Sequence, residues 1–339
     1  MDPVEALEEI AFWLERERAS TYRVEAFRRA AAALAAHGEV EALVETRRLR
    51  SVEGVGPRTA EVVEQAVAGE VPGYLAELRS RGEGPLVPGG EAVRAALRGD
   101  LHTHTDASDG GSPLATMAHT AARLGHEYLA VTDHSPRLRV ANGLSAERLV
   151  RQVEEVGRLE EELGGLRLLT GIEVDILAEG SLDQQDWLLR ELDVVVASVH
   201  SDLRADAATM TRRMLAAVEH PATDVLGHCT GRLVEGRRGT RPPSRFDAER
   251  VFAACAERAV AVEVNARPER QDPPEELVAV ALAAGCLFSI DSDAHAPGQL
   301  AFLDHGCARA AALGIPIDRI VNTWPVDELL AWTRDDATT

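Results

Sequence analysis

Six of the eleven histidines in this 339-residue chain stand directly after short apolar runs, and carboxylates accompany them. The stretches are Asp-Leu-His102-Thr-His104, Val-Thr-Asp133-His134, Gly-Ile-Glu173, Ser-Val-His200, Leu-Gly-His228 and Asp291-Ser-Asp293-Ala-His295. In extended chain, residues two apart face the same side, so His102 and His104 can grip one ion, as can Asp293 and His295. Imidazole and carboxylate together suit zinc, manganese or iron better than calcium or magnesium alone. Glu173 lies in an apolar context, where an unpaired carboxylate costs several kcal/mol, so a metal or an arginine must neutralise it. The other histidines, His37, His119, His126, His220 and His305, fall in helical or turn segments and are expected to be structural or solvent-facing. Four widely spaced cysteines form no CxxC pair, which argues against a disulfide framework and a thiolate zinc site. The sequence contains no lysine, which excludes a lysine Schiff base.

The elements that must position these residues are legible as alternating patterns. From Asp100 onward, apolar runs (Leu129 to Val131, Leu166 to Leu169, Val194 to Val199, Val225 to Leu226, Val260 to Val264, Leu287 to Ile290) alternate with helical stretches. Runs apolar at every position imply parallel strands buried on both faces, hence a β/α barrel or a doubly wound sheet. In barrels, function gathers at the C-terminal strand ends, where all six stretches fall. Residues 4 to 80 read instead as a small all-helical module, with a Gly54-Val55-Gly56 turn and Pro57 at a favoured first helical position. The glycine and proline density of residues 80 to 90 marks a boundary, giving a helical domain at 1–80, a linker at 81–98 and a barrel at 99–335. The formal charge of −20 opposes nucleic-acid binding, since phosphate contact normally needs a basic face. No apolar run is long enough for a membrane span, and the acidic Met-Asp-Pro-Val-Glu start is unlike an export signal, so a cytoplasmic protein is expected.

The order Asp-Leu-His-Thr-His-Thr, Ser-Asp-Gly, Thr-Asp-His, Gly-Ile-Glu, Ser-Val-His, Gly-His and Ser-Asp-Ala-His resembles the polymerase and histidinol phosphatase (PHP) family of metallo-phosphoesterases over roughly residues 99 to 330. The resemblance implies a distorted seven-stranded β/α barrel holding up to three divalent ions (Mn, Zn or Fe, with Mg also open). It assigns His102, His104, Glu173 and Asp293 to a first metal, Glu173, His200 and His228 to a second, and Asp109, His134 and His295 to a third. Metal ions so placed activate water and clamp the oxygens of a phosphate ester. Glu173 would bridge ions at the reacting centre. Arg232, in His228-Cys-Thr-Gly-Arg232, is a candidate to neutralise developing charge, with Arg237, Arg238, Arg241 and Arg245 extending its loop toward a longer anion. Asp133 is a candidate to orient a ligand or take the leaving-group proton, and Asn265 to line the site.

The first 80 residues resemble the N-terminal helical domain of family X DNA polymerases, through Tyr22-Arg-Val-Glu-Ala-Phe-Arg-Arg-Ala-Ala and the helix-hairpin-helix around Gly54-Val-Gly-Pro-Arg-Thr-Ala. That resemblance implies backbone amides offered to a DNA phosphate at Gly54, Gly56 and Arg58. The linker leaves no room for a polymerase palm. The lyase module of that family uses a lysine near the place held here by Val62, so neither polymerase nor lyase activity is expected. The leading expectation is a metal-dependent phosphoesterase acting on DNA ends or abasic sites. The alternatives are a small-molecule phosphatase, for example for histidinol phosphate, and a non-catalytic DNA- or partner-binding protein.

Overall fold

The computed structural model describes residues 1–236 and 239–334; Arg237, Arg238 and the tail at 335–339 lie outside the described residues. The chain divides into two compact units, Met1–Leu86 and Val87–Thr339.

The first unit is built from helices at Pro3–Arg16, Thr21–His37, Val40–Glu45, Pro57–Val67 and Gly73–Arg81. Asp2 accepts the Glu5 amide at 2.8 Å and Pro3 follows at the first helical position, which together start the first helix. Leu7, Ile10 and Leu14 of that helix, at helical spacing, pack in one buried cluster with Phe27, Leu34, Val63 and Leu75. Two forked arginine contacts, Arg28 on Glu15 and Arg79 on Glu9, tie helices together at the edge of this core.

The second unit is a seven-stranded parallel sheet in sequential order: β1 Gly99–Asp100, β2 Tyr128–Val131, β3 Arg167–Asp175, β4 Val194–Ser198, β5 Val225–Leu226, β6 Ala261–Asn265 and β7 Phe288–Asp291. Just past the strand ends, a parallel bridge between Thr103 and Ala294 and the bond from the His104 amide to the Ala294 carbonyl (2.8 Å) bring β1 and β7 together into a nearly closed barrel. Of the two architectures open to the sequence, the barrel is the one formed. β3 changes partners along its length: Arg167 to Thr170 pair with β2 and Gly171 to Asp175 with β4. At the changeover a Cβ on Gly171 would lie 2.8 Å from the Val194 carbonyl oxygen, so only glycine lets the strands approach this closely. Glu91–Ala96, inside the stretch expected as linker, is a helix whose Val93 joins the main barrel core. The glycine and proline run ends at Gly90, and the alanine-rich segment after it has both the propensity and an apolar residue to bury.

Strand periodicity sorts the barrel residues. Leu129, Val131, Ile172, Val174, Val195, Ala197, Val262, Val264, Phe288 and Ile290 pack outward in the clusters under the helices. The inward set changes character with height. At the N-terminal end Tyr128, Leu169, Val194, Val196, Val225 and Ala261 form an apolar cluster closed by Leu329 and Leu330 of the helix Val326–Arg334. At the C-terminal end the same alternation delivers Glu173, Asp175, Ser198, Glu263, Asn265, Ser289 and Asp291, all buried. No helix among the described residues is long and apolar enough to cross a membrane.

Candidate metal centre

The polar end of the lumen holds all nine of the sequence-derived ligands. Donor atoms within 4.8 Å of one another form four overlapping groups: His104, Asp109, His134 and His295; His102, His104 and Asp293; His102, Glu173 and His228; and His134, Glu173 and His200. These groups cut across the family-derived sets, with His102, His104, His134 and Glu173 each shared between two of them. Glu173 is the hub. Its Oε1 lies 2.8 Å from His228 Nε2 and 3.2 Å from His200 Nε2; its Oε2 lies 2.8 Å from His134 Nδ1, 3.4 Å from His102 Nε2 and 3.6 Å from His104 Nε2. Asp109 Oδ1 similarly lies 3.4 Å from His134 Nε2 and 3.3 Å from His295 Nε2.

These approaches are close but misaligned for hydrogen bonding. His102 Nε2, both nitrogens of His104, His200 and His228, His134 Nδ1 and both oxygens of Glu173 are buried and hydrogen-bond to nothing. Buried polar atoms are nearly always paired, so a group of orphans converging on one space marks a missing partner common to them all. Ligands about 2.1 Å from a tetrahedral ion stand about 3.4 Å apart, close to the spacings here. The donor set therefore fits several divalent ions.

Electrostatics point the same way. Burial opposes ionisation of Glu173, yet His200, His102 and His134 hold its carboxyl well below the usual range. Burial likewise opposes the charge on Asp293, but Arg267 and Arg270 outweigh it. Burial and the neighbouring His295 and His134 push His104 well below its ordinary value, leaving a neutral imidazole ready to ligate. Asp293 also occupies left-handed backbone (φ 51°), a conformation that turns its carboxylate into the cluster at a cost of about 1–3 kcal/mol.

Comparison with known proteins agrees with this geometry. A PHP domain model matches residues 100–267, and a helix-hairpin-helix domain model matches residues 1–71. A probable phosphatase of Shewanella sp. (strain MR-4) is 30% identical over 241 residues, covering 67% of this chain and 88% of that protein. The chain belongs to the PHP family. This is a family of metal-dependent phosphoesterases. The DNA polymerase/3'-5' exonuclease PolX of Bacillus subtilis is 38% identical over 199 residues, 59% of this chain. Our chain spans only about a third (34%) of that relative's length. The solved histidinol phosphate phosphatase of Lactococcus lactis, complexed with zinc, L-histidinol and phosphate, superposes with a TM-score of 0.47 at 16% identity over 63% of this chain and 94% of its own.

Around the PHP ligands lies a second layer that the motifs did not reveal. Glu263, fully buried on β6, lies 2.6 Å from His102 Nδ1 and accepts the His228 amide. Asp175 lies 3.4 Å from His200 Nδ1 and accepts the His200 amide at 3.1 Å. Glu263 so fixes the His102 ring and tautomer that its other nitrogen faces the ion, while Asp175 holds the His200 backbone. A glutamate in the middle of Ala-Val-Glu-Val-Asn, an otherwise apolar buried strand, was the available signal.

The geometry narrows two roles read from the sequence: of the two offered for Asp133 it favours orienting a ligand, and it gives Arg232 other partners. Asp133 is buried and accepts from the Thr105 amide and hydroxyl, the Ser108 hydroxyl and Gln152 Nε2. With four donors it is committed to holding the turn that carries Asp109 and has no free lone pair for a leaving-group proton. The Arg232 guanidinium is spent on the carbonyls of Arg270 and Gln271. Arg241 donates to the Gly231 carbonyl at 2.6 Å. The arginines that do reach the centre follow β6. Arg270 Nε donates to Asp293 Oδ2 at 3.0 Å, and Arg267 Nη1 donates to the Asp293 carbonyl at 2.8 Å and lies 2.8 Å from His295 Nδ1. Asn265 does line the site, with its Nδ2 3.2 Å from both Asp293 and Glu263. None of His37, His119, His126, His220 and His305 enters a donor group.

In the helical unit, Gly54 takes φ 92° beside the Arg29 carbonyl, where a side chain would be strained. The Gly56 amide is used by Thr59 Oγ1 (2.9 Å), whereas the amides of Gly54 and Arg58 find no acceptor among the described residues. Arg58 stacks over Tyr74 at 4.8 Å, and Arg47, Arg48, Arg50 and Arg58 are all exposed.

Proposed function

We propose that this protein hydrolyses phosphodiester bonds in DNA, at 3' ends or abasic sites, with the hairpin unit contacting the DNA backbone and the barrel carrying out the cleavage. The observation that carries the hydrolytic reading is the convergence of partnerless nitrogen and oxygen atoms on Glu173 at the barrel mouth. His102, His104, Asp109, His134, Glu173, His200, His228, Asp293 and His295 would hold the ions. Divalent ions there supply Lewis acidity and an activated water for attack at phosphorus. Arg270, anchored through Nε on Asp293, presents its remaining N–H groups to a phosphoryl oxygen. Glu263 keeps the His102 ring aimed, Asp175 holds the His200 backbone, and Asp133 holds the Asp109 turn.

The DNA reading rests on the hairpin, with the free amides at Gly54 and Arg58, and on similarity to a protein named as a polymerase and 3'-5' exonuclease. A small phosphomonoester is the competing substrate, favoured by the −20 charge and by relatives named probable phosphatases. The test is manganese-supplemented hydrolysis of a 3'-recessed duplex, an abasic duplex and histidinol phosphate, with a His102→Ala, His104→Ala control. DNA cleavage absent from the control supports the proposal. Turnover of histidinol phosphate alone overturns it.

A further inference from the structure

After His134 the chain makes a projecting loop around the short turn Arg139–Ala141 before returning at Leu144. The loop is fastened from within. The Leu138 amide donates to the Ser135 carbonyl (3.2 Å), Ala141 to Leu138 (3.0 Å) and Leu144 to the His134 carbonyl (2.7 Å). A Cβ on Gly143 would collide with the Ser135 carbonyl, so the return path is close-packed. Asn142, at φ 55°, donates its side chain to the Ala107 carbonyl at 3.1 Å. Arg148 donates to the carbonyls of Asn142 (2.7 Å), Gly143 (3.1 Å) and Ala107. The loop is thus tied both to a metal-ligand histidine and to the turn that carries Asp109.

What this braced loop holds outward is unusual for the chain. Val140 is 94% exposed, the most exposed large apolar side chain among the described residues. It is flanked by exposed Arg137 and Arg139; Arg137 stands in the field of Glu179 and Asp183, and neither guanidinium is held by a side-chain hydrogen bond among the described residues. A lone exposed valine is ordinary on any surface. Here it is rigidly presented between two exposed cations, in a chain of charge −20 whose other barrel arginines are largely engaged, on a loop that begins three residues from His134. Guanidinium pairs match phosphate oxygens, and an apolar tip matches a base face, which every nucleotide offers whatever its sequence.

We infer that the Arg137–Asn142 loop is a strand-binding arm that holds a single polynucleotide strand at the entrance to the metal centre, with Arg137 and Arg139 on successive phosphates and Val140 against a base. The inference rests on the DNA reading above and adds the single-strand contact to it. The test uses the full-length protein. Binding of a labelled single-stranded oligonucleotide is measured by anisotropy in EDTA across a salt series, for wild type, Arg137→Ala/Arg139→Ala and Val140→Ser. Each lost phosphate contact should flatten the slope of log K against log salt by about 0.7, so the double variant should lose about 1.4. Val140→Ser should weaken binding severalfold at unchanged slope. Hydrolysis of bis(p-nitrophenyl) phosphate, manganese content and melting temperature should stay at wild-type values for all. An unchanged slope while duplex cleavage persists overturns the arm and leaves the DNA reading standing. Parallel loss of oligonucleotide binding and of small-ester hydrolysis also overturns it, because the loop would then act only through His134 and Asp109. So does dissociation of a dimer by Val140→Ser, which would make the tip a contact between copies. Wild-type protein that hydrolyses the small ester but binds no oligonucleotide overturns both the arm and the DNA reading.

Discussion

The two ends of one barrel lumen, built from the same strands with the same alternation, obey opposite rules. At the N-terminal end the inward residues of β2 to β6 are Tyr128, Leu169, Val194, Val196, Val225 and Ala261, and burial satisfies them, with the one hydroxyl, of Tyr128, donating to the Trp324 carbonyl at 3.1 Å. Two to six residues further along, β3 and β6 bury Glu173, Asp175, Glu263 and Asn265, and beyond the strands stands a ring of imidazoles most of whose buried nitrogens hydrogen-bond to nothing. The lower layer contributes stability by removing apolar surface from water. The upper layer costs stability as it stands, since each buried unpaired polar group costs about 1–3 kcal/mol. Only the bound ions can return that energy. The difference separates what folds the barrel from what the barrel is for, and single substitutions can pull the two apart.

The largest effect should come from the hub. Glu173→Gln keeps the shape but removes the charge that five histidines share, and we expect metal content to fall together with a loss of about 10³-fold or more in hydrolysis of any phosphoester. The metal-free variant should melt modestly lower than metal-free wild type, because the histidines that hold the Glu173 carboxyl below its usual range lose their counter-charge. A metal-free variant that melts much lower would mean that Glu173 holds the fold as well as the ions. Metal analysis, kcat and calorimetry on the same preparations decide it.

The mirror experiment is Leu169→Ala, on the same strand two turns of the pleat below Glu173. It should cost about 2–5 kcal/mol in denaturant unfolding, with metal stoichiometry and kcat per folded molecule unchanged. Between these extremes lies Glu263→Gln. It leaves every ligand in place but weakens the grip on the His102 ring, so metal affinity should drop about 10–100-fold. A chelator competition assay measures this, and an unchanged affinity would reduce Glu263 to a packing role.

The sequence disclosed these layers unequally, for physical reasons. The apolar runs marked six of the seven strands because strands buried on both faces need apolar residues at nearly every position. β1, only Gly99–Asp100, has no run to see, and it joins the barrel through β2 and through Asp291 Oδ1 accepting the Leu101 amide. Seven of the nine ligands stood out because each comes within a few residues of a strand end and so must share the barrel mouth; Glu173 lies within β3 itself, and Asp109, well past β1, was implied only by the family resemblance. Glu263 did not, since one acid within a strand carries no sign of what it faces until the opposite strand supplies His102. Arg232 shows the same limit: it follows a ligand in sequence, but its Nε and Nη2 turn to the carbonyls of Arg270 and Gln271, while the arginines at Asp293 come from the segment after β6. For Asp133, adjacency to His134 left two roles open, and only the four donors that come from other segments favour orienting the Asp109 turn over proton transfer.

The smallest effect is the sharpest form of the comparison, because a buried histidine with unpaired nitrogen stands at each end. His126 lies just before β2, away from the cluster, and neither ring nitrogen has a partner. Burial, helped by Arg94, lowers it to about 3. His134 lies just beyond the other end of the same strand. Burial opposes its charge too, but Glu173 and Asp109 outweigh it and raise it to about 10. The signs follow. Above about pH 6.5 His126 is neutral in both folded and unfolded chains and has no effect on pH dependence. Between about 6.5 and 3 the unfolded chain takes up a proton that the folded one refuses, so stability falls with falling pH, by a few kcal/mol in all. His126→Leu should flatten that acid limb and leave metal binding untouched. His134 behaves oppositely, since at pH 8 the metal-free protein holds a proton there that an ion must displace. Metal uptake should therefore release protons and tighten as pH rises toward 10. Titration calorimetry in two buffers of different ionisation enthalpy reads that release directly. A wild-type release that falls in His134→Gln, with His102 and His200 still contributing, but persists in full in His126→Leu would assign the proton to the upper end of the lumen, where a carboxylate rather than apolar packing surrounds the ring.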